Sequence, residues 1–91
     1  VQKIGEDHYI FDAKLLIDNV NDILGITIEE DDIDTIGGWF MTERFELMTG
    51  ESIIEQGYEF TIKDMDGQHI LYLEVMKHER ENVEQLTEVS T

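Results

Sequence analysis

Residues 58–76 read Tyr-Glu-Phe-Thr-Ile-Lys-Asp-Met-Asp-Gly-Gln-His-Ile-Leu-Tyr-Leu-Glu-Val-Met and carry the strongest structural signal in the chain. Tyr58, Phe60 and Ile62 alternate with Glu59, Thr61 and Lys63, the period of two that gives a strand one apolar face and one wet face. Asp64-Met65-Asp66-Gly67 then carries an Asp-Gly turn signature, and residues 70–76 return with Leu71, Leu73 and Val75 on one side. An antiparallel hairpin is predicted. Immediately upstream, residues 52–56 read as a further strand.

Further toward the N-terminus the period changes. Residues 36–48 are predicted to form a helix with Ile36, Trp39, Phe40 and Leu47 on one side and Met41, Phe45 and Met48 on roughly the other. A helix apolar on two faces is usually sandwiched, so one face is expected on the sheet and the other against the first helix or a partner. Asp34 or Thr35 can cap it, and the carboxylates just upstream complement its positive N-terminal dipole. Before that acidic loop, Ile26 and Ile28 sit in a short extended stretch. A first helix is predicted over residues 13–24, from the spacing of Leu16, Val20, Ile23 and Leu24, with Asp12 as its cap and Gly25 as its left-handed stop. Residues 8–11, aromatic and β-branched, form a strand running into it.

The order of elements predicts one α+β domain, an antiparallel sheet of about four strands with two helices packed on it. It is expected to occupy residues 1–78. Residues 79–91 form a polar tail in which only Val83, Leu86 and Val89 recur at three-residue spacing, as a short helix or a frayed end. At 91 residues the chain has room for a single core. Val1 opens it without a basic and apolar leader, so the reading expects a piece excised from a longer polypeptide.

Twenty-two Asp and Glu face six Lys and Arg, a formal net charge of -16. Such a field repels nucleic acid and anionic membrane surfaces, and favours cations or basic protein surfaces as partners. The longest apolar run, Ile70-Leu71-Tyr72-Leu73, falls far short of the roughly 18 residues that span a bilayer, so no insertion by this segment is expected. There is no cysteine, which excludes disulfides and thiolate metal sites.

From His8 to Lys77 the sequence resembles the CorC/HlyC transporter-associated domain. The likeness rests on the aromatic strand ending in Asp12, on the acidic loop entering Asp34-Thr35-Ile36-Gly37-Gly38, on Gly50-Glu51 opening a strand, and on the hairpin through Asp66-Gly67. Three departures stand out. Ala13 occupies a common glycine position, Phe45-Glu46-Leu47-Met48 replaces the usual Gly-Arg-Ile-Pro, and one residue is missing before Gly50. The resemblance implies a C-terminal module after a transmembrane domain and paired CBS domains, on the cytoplasmic face of the plasma membrane. Its parent proteins are linked to magnesium and cobalt efflux and often labelled hemolysins. The domain is expected to modulate ion transport through contacts with those domains or as a homodimer. The fold it implies is related to a subdomain of FAD-dependent oxidases, an analogy that does not fix function.

The residues offer three candidate chemistries. Glu29, Glu30, Asp31, Asp32 and Asp34 supply oxygen ligands of the kind that magnesium and calcium prefer, but their spacing is not that of an EF-hand and a solvated capping loop, which explains the same residues, is the preferred reading. Gly37 and Gly38, at a helix start, could present amides to the phosphate of an adenine nucleotide or FAD, against the repulsion of the upstream carboxylates. Trp39, Met41, Phe45 and Met48 form the aromatic and thioether cluster of an interface, or else core. His8, His69 and His78 are scattered, and no nucleophile, base and orienting acid share a recognisable motif. The expectation is a non-catalytic accessory domain that requires no cofactor. The alternative is a small-ligand module for a divalent cation, adenine nucleotide or flavin.

Overall fold

The computed structural model describes residues 1–78; residues 79–91, with the predicted polar tail, lie outside the described residues. The elements run β1 (Gln2–Gly5), β2 (His8–Asp12), α1 (Ile17–Leu24), α2 (Ile36–Glu43), β3 (Ser52–Glu55), β4 (Tyr58–Asp66) and β5 (His69–Lys77). The strands form one sheet in the order β1-β2-β5-β4-β3, and every neighbouring pair is antiparallel.

The α+β class is as predicted, with five strands in place of about four. The unforeseen strand is β1, an edge strand whose four residues are exposed or half-buried. A strand that buries so little carries no apolar alternation to read.

Both helices cover one face of the sheet. Phe11, Phe60, Ile62, Leu73 and Val75 point from the strands toward Val20 of α1 and toward Ile36, Trp39 and Phe40 of α2, all of them buried. Trp39 meets Phe60 edge-on with ring centroids 5.1 Å apart, a favoured aromatic geometry. Full burial of each such side chain is worth about 1.5–3 kcal/mol.

Helix α1 begins four residues later than predicted. Asp12 does not cap it; its Oδ1 accepts the Lys14 N–H at 2.8 Å and closes a turn instead. The backbone of residues 13–17 is committed elsewhere. Ala13 N–H donates to Leu71 C=O at 3.0 Å, Ile17 N–H donates to Asp34 C=O at 2.8 Å, and Leu15 C=O accepts Ile36 N–H at 2.8 Å. The two helix entries thus satisfy each other's otherwise unpaired donors. Gly25 ends α1 in the left-handed region at φ 71°, and its N–H donates to Asn21 C=O, as its position predicted.

Helix α2 is shorter than predicted and ends at Glu43, so residues 44–48 are not helical. Arg44 is extended at φ -128°, ψ 135°. Its guanidinium Nη2 donates to Ser52 C=O at 2.6 Å. Thr42, in the last turn, donates its hydroxyl to Trp39 C=O at 2.7 Å, a back-bond that competes with the helical ladder.

The β4–β5 hairpin turns at Gly67–Gln68, slightly later than the Asp64–Gly67 signature placed it. Its ladder pairs Ile62 with Leu73, Asp64 with Tyr72 and Met65 with Ile70, so Lys63 and Leu71 are each bulged out of register. Leu73 and Val75 are buried as predicted, and the bulge reverses the phase of β5 only at its turn end. There Ile70 is buried at 8% exposure and Leu71 is exposed at 38%, so Leu71 leaves the predicted face and Ile70 replaces it.

Candidate interaction surface

Because the helix ends at Glu43, the predicted second face of helix two dissolves into one helical residue and a loop. Met41 projects from α2, whereas Phe45, Leu47 and Met48 belong to the segment that leads to Gly50. Leu47 turns inward and packs against the core. Met41 and Met48 are about half exposed, and Phe45 is wholly exposed at 103% of its reference area. These side chains, with Glu46 and Gln68, line an open cleft of about 460 Å³.

Trp39 does not belong to this surface. At 2% exposure it is core, wedged between Phe40 and Phe60, so its place among the interface candidates is corrected. Helical spacing places it with Ile36, Phe40 and Leu47, and that is the side the sheet covers; its aromatic character alone put it among the interface candidates.

The loop after α2 is held from both ends. Arg44 is drawn to Ser52, and Glu51 N–H donates to Met48 C=O at 3.0 Å. Gly50 N–H donates to Ile62 C=O at 2.9 Å, while Ile62 N–H donates to Glu51 C=O at 2.9 Å. Phe45 therefore stands out from an anchored loop.

The acidic residues Glu29, Glu30, Asp31, Asp32 and Asp34 are all exposed. Four of them, Glu29, Glu30, Asp31 and Asp34, border a separate cleft of about 540 Å³ with Leu16, Ile17, Asp18, Ile28 and Ile33. Among the described residues no three His, Asp or Glu side chains come together in a way that could hold a metal ion. Asp34 contributes its backbone carbonyl to α1, and Thr35 rather than Asp34 caps α2, its hydroxyl accepting Gly38 N–H at 3.2 Å.

The amides proposed for a phosphate are engaged. Gly37 N–H donates to Ala13 C=O at 2.9 Å, Gly38 N–H to Thr35, and Ile36 N–H to Leu15. Gly37 is required there by space. A Cβ at this position would lie 2.7 Å from the Ala13 Cβ and 2.9 Å from its carbonyl oxygen. The glycine pair serves close packing of the two helix entries.

The sheet face turned away from the helices carries a shallow groove of about 680 Å³ that includes Ile4, Ile10, Tyr72 and the pair His8–Glu74. His8 Nε2 lies 2.6 Å from Glu74 Oε2, bridging β2 and β5. No described helix is long and apolar enough to cross a membrane.

An antiparallel sheet covered on one side by two laced helices, with an aromatic and thioether patch standing free, defines a small α+β domain with an exposed apolar surface. The Transporter associated domain family, CorC_HlyC, matches residues 2–79, and the chain belongs to it. It is 52% identical over 83 residues to the UPF0053 protein YhdP of Bacillus subtilis, covering 91% of this chain and 19% of that protein. To the UPF0053 protein YrkA of the same organism it is 46% identical over 77 residues, covering 85% of this chain and 18% of the relative. The chain thus spans about a fifth of the length of the curated relatives it matches.

Among solved structures, a region described as associated with a Mg2+ and Co2+ transporter (CorC) of Neisseria meningitidis superposes with a TM-score of 0.77 at 23% identity, covering 84% of this chain and 95% of that one. A transporter associated domain from a Xylella fastidiosa hemolysin, solved in complex with Mg++ and Mn++, superposes with a TM-score of 0.71 at 23% identity, covering 87% and 96% of the two chains. These likenesses carry the fold.

Proposed function

We propose that this chain is a non-catalytic accessory and regulatory domain of a bacterial membrane ion-efflux protein, working through a protein contact made by Met41, Phe45 and Met48. Its place is the cytoplasmic side of the membrane, next to the CBS and transmembrane domains of a longer polypeptide. The observation that carries the reading is Phe45, an aromatic side chain left wholly in water beside two half-exposed methionines. Isolated exposed apolar residues are common, but a contiguous aromatic and thioether patch marks an interaction site. Membership of the transporter-associated family supports the ion-transport setting, as does the Mg2+ and Co2+ transporter named for the Neisseria region.

The test is a chimera in which this domain replaces its counterpart in the YhdP relative. Phe45→Glu is expected to leave the isolated domain folded, as judged by circular dichroism, and to change magnesium or cobalt flux in the chimera. Unchanged flux with a folded variant would overturn the reading.

A second reading makes the domain a small-ligand module for a divalent cation, and the Mg++ and Mn++ complex of the Xylella domain favours it. Here the acidic loop of Glu29, Glu30, Asp31, Asp32 and Asp34 would hold the ion. Their exposure makes loosely held counter-ions the form this reading takes.

A further inference from the structure

We infer that the occupant of the Met41–Phe45–Met48 patch is a protein surface with an apolar socket rimmed by Lys or Arg, and not a second copy of this chain. The inference rests on the contact reading above and specifies its partner. The apolar centre is supplied by Phe45 and the two thioethers, beside a cleft that can receive a facing side chain. Glu46 is the charged residue that lines this cleft, while the neighbouring cleft, which Met41 also lines, adds Lys14, Asp66 and His69. Between residues 41 and 51 the charged side chains are Glu43, Arg44, Glu46 and Glu51, three carboxylates against one guanidinium. The guanidinium donates to the chain's own Ser52 carbonyl at 2.6 Å, which fixes its position but leaves its charge in place.

In a two-fold contact each copy would present the same patch, because such an interface is self-complementary. Each copy would then place Glu46, which lines the cleft, beside the seam, and two chains of net charge -16 would meet there. Burial of such an apolar centre would bring these carboxylates within the roughly 8 Å Debye length at physiological salt, where like charges still repel. A basic rim removes the conflict. It pairs with the same carboxylates and steers encounter toward the patch, as electrostatic complementarity does at specific interfaces.

The experiment measures binding of the ¹⁵N-labelled 91-residue chain to an amphipathic Leu/Lys helical peptide, its Leu/Glu counterpart and zwitterionic vesicles, with sedimentation velocity on the chain alone. The expected result is shift changes centred on Met41, Phe45, Leu47, Met48 and Gln68 with the Leu/Lys peptide. Phe45→Ser should weaken that binding about tenfold, as loss of an aromatic anchor does. Glu43→Gln/Glu46→Gln should weaken it further, the Leu/Glu peptide should not bind, and the chain should sediment as a monomer. A dimer abolished by Phe45→Ser would overturn the basic-partner inference and leave the contact reading standing. Phe45-dependent vesicle binding would likewise replace the basic socket by a lipid surface. Leu/Lys binding indifferent to Phe45→Ser, lost only by raising salt, would be diffuse charge attraction and would remove the patch from the account altogether.

Discussion

The Gln56 carboxamide pairs with both backbone groups of Thr27, accepting its N–H at Oε1 over 2.8 Å and donating from Nε2 to its C=O over 2.7 Å. Asn21 does the same for the next residue, accepting Ile28 N–H at 2.8 Å and donating to Ile28 C=O at 3.0 Å. The extended stretch before the acidic loop thus has side-chain amides where a strand would have a neighbour. Gln56 sits at φ 52° in the turn with Gly57, a region that Asn and Gly occupy more readily.

Gln56→Gly therefore separates two effects of opposite sign. Glycine relieves the positive φ, but it deletes both hydrogen bonds to Thr27. Two exposed hydrogen bonds and the relieved strain are each worth about 1–3 kcal/mol, so Gln56→Gly is expected to change stability in urea unfolding by no more than about 1 kcal/mol, whereas Gln56→Ala, which keeps the positive φ, should lose about 1–2 kcal/mol. A Gln56→Ala variant as stable as the parent would show that the clamp contributes nothing.

Gly37→Ala should cost about 1–3 kcal/mol, because the added methyl falls inside contact distance of Ala13 and the neighbouring entry must shift. Ala13→Gly in the same chain should recover part of that loss by removing one of the two clashes, the other being with the Ala13 carbonyl oxygen. Unfolding midpoints of the four-member cycle measure the coupling; strict additivity would place the strain elsewhere.

Tyr58 carries the one pH prediction. Its phenol is held above the usual value of 10.0, first by burial and then by the nearby charge and hydrogen bond of Asp7. Because the fold favours the neutral form, this stabilisation is fully present below pH 10 and is lost as pH rises through the higher folded value. Ultraviolet titration should show one late tyrosine that disappears in Tyr58→Phe. Three tyrosines titrating together would contradict the assignment.

Much of the fold is legible in the sequence because it rests on local chemistry. The Tyr58, Phe60 and Ile62 alternation and the Gly25 stop each act within a few residues. What escaped is non-local. The start of α1 depends on backbone pairing with residues 34–37, the end of α2 on Arg44 reaching Ser52, and the choice of Ile70 over Leu71 on a bulge whose carbonyl serves Ala13. For the candidate surface, Met41, Phe45 and Met48 are exposed as the assembly reading requires, although for a different reason: a loop, not a helix face, presents two of them. Trp39 shares the helical period of Ile36 and Phe40, so its spacing already marks it as core, and only its residue type suggests an interface.

At the acidic loop, calorimetric titration with magnesium is expected to give weak, salt-sensitive heats without a defined stoichiometry, as screening of five exposed carboxylates requires. A tight single site abolished by Asp32→Asn or Asp34→Asn would contradict this and promote the ligand-module reading.

The contact claim is tested most directly by methionine oxidation, read by mass spectrometry on the isolated domain and on the YhdP chimera. Met41, Met48 and Met76 are each about half exposed in the isolated domain, so peroxide should reach all three. Met76 lies on β5 and is the internal control. In the chimera, oxidation of Met41 and Met48 should slow about tenfold or more while Met76 keeps its rate. Protection of Met76 alone, or equal rates for all three in both settings, would contradict a contact made through the surface around Phe45.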